Sequence, residues 1–115
     1  LRDGKTLVAF AIIHRVSGRN FTFDIRFIVL DCDYRSTNAI QHLFEMIDEE
    51  LLKKIPFAVI RVEISSLKRA SLGENALENA KYSQIGHIPA YYGEHDEFIF
   101  YIKAIFRNPP NLIKV

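Results

Sequence analysis

The residues best suited to chemistry lie in a polar turn between an apolar segment and an amphipathic one. The turn reads Asp31-Cys32-Asp33-Tyr34-Arg35-Ser36-Thr37-Asn38 and leads into residues 39–54. The amphipathic segment carries apolar side chains at the i, i+3, i+4, i+7 spacing of one buried helical face. The first backbone N–H groups of a helix have no partner within it and carry the positive end of its dipole. The strand, turn and helix therefore predict an anion site at residues 35–41, with an ordinary helix start capped by Ser36 or Thr37 as the alternative.

The histidines and the single cysteine form no pattern typical of a metal site. The four histidines, at positions 14, 42, 87 and 95, are scattered, and Cys32 has no Cys or His beside it in the sequence. Metal ligands usually come in closely spaced pairs on one element. The sequence therefore predicts no metal site, and it favours an inert Cys32 thiol over a nucleophile.

Composition excludes several functional classes. A length of 115 residues suits one domain, and 49% hydrophobic residues can build a core. We expect residues 1–107 to form this domain and residues 108–115 a C-terminal tail. A net charge of +1 without a basic stripe gives no support for nucleic-acid binding. No apolar run has the length of a membrane span, and one cysteine cannot form an internal disulfide, which together favour a cytoplasmic protein without membrane contact.

Periodicity predicts a domain of the α/β (α+β) class, with a mixed, mostly antiparallel sheet and two helices in the order β-β-α-β-α-β-β. The strands are expected at Thr6–Val16, Phe21–Leu30, Phe57–Ile64, His87–Tyr92 and Glu97–Phe106. The first of them, Thr6–Val16, is nearly all apolar and is expected to be covered on both faces. Helices are expected at 40–54 and Asn75–Ile85, the second with Asn75 and Glu78 as a reciprocal cap and Gly86 as its end. Ser65–Gly73 is expected to be a polar loop. The strand after the first helix should run parallel to Phe21–Leu30, because a helical crossover precedes it. Alternation places Phe21, Phe23, Ile25, Phe27 and Val29 on one face of their strand.

Three segments share residue types and spacing with a known family. Arg2-Asp3-Gly4-Lys5-Thr6-Leu7-Val8-Ala9-Phe10 looks like a charged turn followed by a Leu-Val-Gly-Phe strand entry. Asp31-Cys32-Asp33-Tyr34-Arg35 looks like a strand end and the Arg or Gln that opens a pyrophosphate loop, and Asn75, Tyr82 and Gly86 have the spacing of an Asn…Tyr…Gly-Phe segment. In these respects the chain resembles the later two-thirds of the Gcn5-related N-acetyltransferase (GNAT) superfamily. The resemblance lacks the family's first strand and two following helices, and its pyrophosphate loop is degenerate, since Asn38 and Ile40 stand where glycines are common.

The resemblance implies acetyl-CoA as co-substrate and assigns residues to it. Tyr82 matches the tyrosine that protonates the leaving thiolate, with a core aromatic as the alternative. The implied coenzyme contacts are one strand end, the loop that follows it and one asparagine: Ile28, Val29, Leu30, Arg35, Ser36, Thr37, Asn38, Ala39, Ile40, Gln41 and Asn75. The backbone of Ile28–Leu30 would pair with the pantetheine arm like an added strand. Asn75 is equally well explained as a helix N-cap.

The activity that the resemblance implies is transfer of an acetyl group from acetyl-CoA to a primary amine by direct attack. By position, the base could be Asp24, Asp31 or Glu63. The alternative is that Asp24 and Glu63 are solvent-facing strand residues and that Asp31 is a turn residue. The alternative function is a catalytically inactive domain of the same fold that serves as a binding or structural module in a larger protein or assembly. A plain globular domain with an accidental likeness is a third interpretation. The partners expected are acetyl-CoA and an unidentified amine, with a homodimer or larger assembly left open.

Overall fold

The computed structural model describes residues 1–4, 6–31, 33, 38–73 and 75–108, apart from the side chains of Arg2, Asp3 and Thr6. Two short strands come first, followed by five longer strands and three helices. They are β1 (Arg2–Asp3), β2 (Thr6–Leu7), β3 (Ala9–Arg15), β4 (Thr22–Leu30), α1 (Ala39–Lys54), β5 (Phe57–Ser65), α2 (Ser66–Leu72), α3 (Ala76–Asn79), β6 (Ser83–Gly93) and β7 (Asp96–Phe106).

The five longer strands form one mixed sheet in the order β3-β4-β5-β7-β6. Strands β4 and β5 run parallel, as expected after the α1 crossover, and the other neighbouring pairs are antiparallel. The predicted class, the parallel pair and the final β6–β7 hairpin are confirmed. A small ribbon of β1 and β2 precedes the sheet, and Gly4 between them has φ +58°, which suits a tight turn.

Helix α1 is confirmed, and it provides much of the core. Its buried side chains are Ala39, Ile40, Leu43, Phe44 and Ile47. They pack against the sheet residues Ile25, Ile60 and Val62 in one hydrophobic cluster. The helix ends where Ile55 turns into extended backbone before Pro56, and the side chain of Arg107 donates a 2.8 Å hydrogen bond to the carbonyl of Leu52 in its last turn.

The prediction for residues 65–86 is wrong in two places. Ser66–Leu72 is a helix rather than a loop, and the Ser65 hydroxyl caps it by accepting a 3.1 Å hydrogen bond from the Lys68 N–H. The expected Asn75–Ile85 helix is only the four residues of α3, and Ser83 already begins β6. Asn75 makes no side-chain cap, and Glu78 instead accepts a 3.0 Å hydrogen bond from the Tyr101 hydroxyl.

A left-handed residue explains why α3 ends early. Lys81 has φ +74°, its N–H donates to the Glu78 carbonyl at 3.0 Å, and the next N–H, of Tyr82, donates to the Leu77 carbonyl at 3.0 Å. These two bonds form the Schellman pattern that satisfies the last carbonyls of a helix. A glycine normally occupies the left-handed position, so the sequence pointed to Gly86 and placed the end five residues too late.

One face of the sheet is uncovered by helices in the described structure, contrary to the expectation that Thr6–Val16 is covered on both faces. The segment is interrupted at Val8, and along β3 burial alternates, with Ile12 50% exposed. The side chains of α1, Leu72 and Leu77 join the core cluster with Ile25, Ile60 and Val62. On the opposite face Phe10, Phe27 and Val29 remain exposed. We call this second face the open face of the sheet.

Candidate functional site: a cleft between two parallel strands

The strands β4 and β5 are hydrogen-bonded over only part of their length. Their parallel register covers four pairs, from Thr22 with Val59 to Ile25 with Val62. Beyond Ile25, β4 continues to pair with β3 as far as Leu30, but it no longer pairs with β5. The strands therefore diverge, and backbone groups of residues 26–30 on the β5 side become available to a ligand that pairs like a strand.

A β-bulge lies at the point of divergence. Ile13 pairs with Ile25 and Ile12 with Phe27, so Arg26 is the extra residue of β4. The bulge reverses the alternation that the sequence predicts for this strand. Ile28 is buried at 6% exposure, whereas Phe27 is 62% exposed, so the expectation that Phe27 and Val29 share a face with Ile25 is wrong.

The divergence opens a cavity of about 410 Å³. One wall is β4, from Ile25 to Val29, and the other is the end of β5, from Val62 to Ser65. Lys68 of α2 and Tyr92 and Asp96 of the β6–β7 hairpin complete the lining. The cavity contains residues 28 and 29 of the predicted pantetheine segment, together with one of the three carboxylates considered as a base.

Of the three carboxylates considered as a base, Glu63 is the one that lines this cavity. Its side chain is exposed, and it has neither a hydrogen bond nor an ion pair with the described residues. Asp24 is different, because Arg61 binds both of its carboxylate oxygens at 2.7 and 3.0 Å. This contact raises the pKa of Arg61. Asp31 accepts a 2.9 Å hydrogen bond from the Asp33 N–H and is a turn residue. Of the three candidates, Glu63 has the carboxylate that a ligand in the cleft can reach.

The start of α1 lies at the end of the β4 segment that lines the cleft. Arg35, Ser36 and Thr37 fall outside the described residues, and so does Cys32. Asn38 precedes the helix without a side-chain cap, and its carbonyl accepts the first helical hydrogen bond, from the His42 N–H at 3.0 Å. Ala39 and Ile40 are 7% and 4% exposed. Their side chains therefore pack into the core, and the bulk of Ile40 does not cover the helix end.

Gln41 and Asn75 lie close together, although they are 34 positions apart in the sequence. The Gln41 amide donates a 3.0 Å hydrogen bond to the carbonyl of Ala76, the residue after Asn75. Asn75 itself is exposed and its side chain makes no cap. The two predicted coenzyme contacts Asn75 and Gln41 are thus brought to one end of the molecule, beside the first turn of α1.

Tyr82 is not brought to the cleft. It is 3% exposed and packs in the core, with its ring 5.5 Å from Phe44 and with the Lys103 ammonium 4.5 Å from the ring centre. Its hydroxyl has no hydrogen-bond partner among the described residues. Burial raises the pKa of this hydroxyl far above its usual value, and the charge of Asp48 raises it further. Tyr82 thus lies outside the lining of the cavity, with its hydroxyl enclosed by the core.

Sequence reasoning missed Tyr92, which the β6–β7 hairpin brings to the cavity. The register of β6 against β7 is irregular between Ile88 and Gly93, and Ala90 has φ +57°. This irregular segment carries Tyr91 and Tyr92 against Phe98, with ring centres 5.1 and 6.2 Å away. Burial raises the pKa of Tyr92, and the neighbouring Tyr91, Glu63 and Asp96 raise it further. The only local signal was the Pro89-Ala-Tyr-Tyr-Gly93 turn composition.

Within residues 1–4, 6–31, 33, 38–73 and 75–108, no three His, Cys, Asp or Glu side chains are grouped as metal ligands would be. None of the helices in that part of the chain combines the length and the apolar composition that crossing a bilayer requires.

The fold matches solved acetyltransferases, although no protein-family model and no curated protein matches the sequence. A proposed acetyltransferase of the GNAT family from Desulfovibrio desulfuricans superposes with a TM-score of 0.71 at 16% identity, over 89% of this chain and 64% of that one. The ribosomal-protein-S18-alanine N-acetyltransferase from Escherichia coli has a TM-score of 0.71 at 20% identity, over 96% and 70%. An aminoglycoside 6′-N-acetyltransferase complexed with coenzyme A has a TM-score of 0.69 at 13% identity, over 96% and 73%.

The chain thus spans a little under two-thirds of the first of these proteins. The mixed, mostly antiparallel sheet of this chain matches the fold of these structures, and the similarity extends over 89% to 96% of the chain. The chain has the fold of the GNAT acetyltransferases.

Proposed function

We propose that the chain is an N-acetyltransferase that uses acetyl-CoA and acetylates a primary amine. The observation that carries the proposal is the divergence of β4 and β5 into a cavity of about 410 Å³ directly before the loop to α1. The fold similarity to an acetyltransferase complexed with coenzyme A supports the same ligand. When bound, acetyl-CoA supplies an acetyl group activated as a thioester.

The residues of the cleft suit a long ligand with an anionic end. Backbone groups of Ile28–Leu30 that β5 leaves unpaired would bind the pantetheine arm. The N-terminal turn of α1, with the loop residues Arg35–Thr37, would bind the pyrophosphate through N–H groups and the helix dipole. The buried side chains of Ala39 and Ile40 leave that approach clear. Asn75 lies near enough to Gln41 to add a contact.

Glu63 would act on the amine. An amine is protonated at neutral pH and must lose a proton before it can attack a carbonyl carbon. Glu63 is exposed in the cavity, and its carboxylate can bind the ammonium and take up that proton, directly or through one water. Tyr82 has no part in this scheme. A thiol has a pKa near 8.5, so its thiolate can leave without a dedicated acid and be protonated by water.

The proposal is tested by the melting temperature with and without acetyl-CoA. A ligand that binds only the native state stabilises it by about 2.7 kcal/mol at a hundred times its Kd. We expect a clear upward shift at millimolar acetyl-CoA. The absence of any shift would contradict the proposal.

Two variants at one position test the role of the α1 start. Gln41→Pro removes a backbone N–H in the first helical turn, where proline is tolerated. Gln41→Ala keeps the N–H and removes only the side-chain bond to Ala76. We expect Gln41→Pro to reduce the acetyl-CoA shift and Gln41→Ala to retain most of it. Equal shifts would exclude a backbone site at this helix end.

The alternative is a catalytically inactive domain that binds a partner protein. The exposed apolar side chains of the open face, among them Phe27 and Ile12, favour it. Acetyl-CoA binding separates the two functions, because an inactive module without a coenzyme site gives no thermal shift.

A further inference from the structure

The cleft has features that select among amines, and this inference rests on the proposed function. Three side chains of the cavity define the acceptor end: Glu63 on β5, Phe27 on β4 and Tyr92 on the hairpin. Phe27 is 62% exposed and Tyr92 is 51% exposed, so both present aromatic surface to a ligand. Glu63 and Tyr92 line the same cavity, and the charge of Glu63 contributes to raising the pKa of Tyr92.

The charge distribution of the cavity limits what can bind there. Of its two carboxylates, Asp96 already accepts hydrogen bonds through Oδ1 from the Ser66 hydroxyl at 3.1 Å and the Leu67 N–H at 3.2 Å. Glu63 is the one without a bond to the described residues. Arg26 and Lys68 also line the cavity and bring two positive charges. The lining therefore carries two carboxylates and two cations, and Glu63 is the carboxylate that has no hydrogen bond to the described residues. Arg26 and Lys68 would repel any further positive charge on a ligand.

Aromatic surface surrounds the Glu63 carboxylate. Tyr92 packs with Tyr91 at 4.9 Å and with Phe98 at 6.2 Å between ring centres, and Phe98 is 6.4 Å from Phe100. Phe100 pairs directly with Glu63 across β5 and β7. An ammonium at Glu63 would thus lie beside aromatic rings, which attract cations through their faces and bury apolar groups.

We propose that the acceptor is a monoamine, with a single ammonium carried on an aromatic or aliphatic body. Glu63 binds the ammonium, and Tyr92 and Phe27 contact the body. A polyamine or an aminoglycoside is disfavoured, because its further ammonium groups would lie near Arg26 and Lys68. A monoamine acceptor would differ from the aminoglycosides for which one structural neighbour is named.

Amine binding to the chain without acetyl-CoA tests the proposal directly by calorimetry. The probes are 2-phenylethylamine, its neutral counterpart 2-phenylethanol, and spermidine as the polycation. We expect 2-phenylethylamine to bind at least tenfold more tightly than either of the others. Equal or tighter binding of spermidine, or no binding of 2-phenylethylamine at millimolar concentration, would overturn the proposal.

Variants locate the binding site. We expect Glu63→Gln to weaken 2-phenylethylamine binding at least tenfold and Tyr92→Ala to weaken it several-fold. Tyr91→Ala is the matched control, since Tyr91 also packs on Phe98 but does not line the cavity. Glu94→Gln, on the exposed hairpin, controls for a lost carboxylate. Equal effects of the variants and their controls would contradict the assignment.

The acetyl-CoA melting experiment separates this proposal from the proposed function. If acetyl-CoA binds and spermidine is the preferred amine, only the monoamine proposal fails. If acetyl-CoA does not bind and 2-phenylethylamine binding depends on Glu63 and Tyr92, the transferase function fails and the amine site is retained.

Discussion

Tyr82 and Glu63 differ in burial, and this difference is why we propose Glu63 rather than Tyr82 for the reaction. Tyr82 has the hydroxyl that an acid requires, but the core encloses it and its pKa is raised by burial. Glu63 was an inconspicuous residue of an alternating strand, yet β4 diverges from β5 beside it and leaves it facing a cavity. Residue type alone favoured the tyrosine, and the surroundings of each side chain favour the glutamate.

Removing the Tyr82 hydroxyl should leave turnover unchanged and stabilise the fold. The hydroxyl is buried without a partner among the described residues, and leaving such a group unsatisfied costs about 1–3 kcal/mol. We expect Tyr82→Phe to raise the free energy of unfolding by about 1 kcal/mol, measured by urea denaturation. Glu63→Gln is the contrasting variant and should lower kcat/KM about 100-fold. A comparable fall in kcat/KM in a folded Tyr82→Phe variant would show that Tyr82 takes part in the reaction.

At the level of elements, the end of the short helix α3 depends on a lysine whose left-handed backbone conformation is unfavourable for residues with a Cβ atom. Lys81 takes the left-handed position of the Schellman pattern, with φ +74°. This position sets where α3 stops and where β6 begins, and so it decides that Tyr82 enters the core rather than extending a longer helix.

Replacing Lys81 with glycine should stabilise the protein. A left-handed conformation costs a residue with a Cβ about 1–2 kcal/mol, and glycine avoids this cost. Part of the gain is lost because glycine makes the unfolded chain more flexible. We therefore expect Lys81→Gly to raise the free energy of unfolding by about 0.5–1 kcal/mol, measured by urea denaturation. Lys81→Ala keeps the strain and should give no such gain, so stabilisation by both variants would refute the strain argument.

A partly buried ion pair connects α1 to the sheet. Lys103 on β7 is 8% exposed, and its ammonium donates to Asp48 at 2.7 Å and to the Ala80 carbonyl at 2.9 Å. The pKa of Asp48 is raised, because burial outweighs the opposing effect of Lys103. The lysine therefore compensates only part of what it costs to bury this carboxylate.

Removing the lysine should destabilise the protein in a pH-dependent way. We expect Lys103→Met to cost about 2 kcal/mol at neutral pH, because the partly buried Asp48 is left ionised without its cation. A carboxyl whose pKa is higher in the folded state destabilises that state when ionised, and the penalty disappears as protons bind. The loss of stability in Lys103→Met should therefore become smaller as the pH falls from 7 through the raised pKa of Asp48 towards 3.8, the ordinary pKa of an aspartate.

Denaturation of Lys103→Met across this pH range provides the measurement, and Lys53→Met is the control. The Lys53–Glu50 pair is exposed, with 68% and 61% of the two side chains accessible, so its loss should have little effect at any pH. A deficit of Lys103→Met that is constant with pH would show that Asp48 is not its source.

For the whole molecule, the sequence was sufficient wherever periodicity and turn residues agreed. Helix α1 shows a regular apolar face and ends before Pro56, and the last hairpin turns at Gly93. The cleft was harder to predict, because a bulge is one extra residue whose effect depends on the neighbouring strand. Nothing in residues 21–30 shows that alternation reverses at Arg26, and nothing near Ser66 outweighed the polar composition that suggested a loop. Tyr92 reaches the cavity through tertiary packing that local sequence does not encode.

The four residue pairs between β4 and β5 are a short connection between two parts of the sheet. They are the only β-ladder in the described structure that joins the pair β3–β4 to the trio β5–β7–β6. Helix α1 lies across this seam, because its buried side chains share one cluster with Ile25 on one side and Ile60 on the other. The short ladder and the packing of α1 thus join the two parts of the sheet. Because the cavity lies between these two parts of the sheet, we expect core substitutions in α1 to change ligand binding without contacting the ligand.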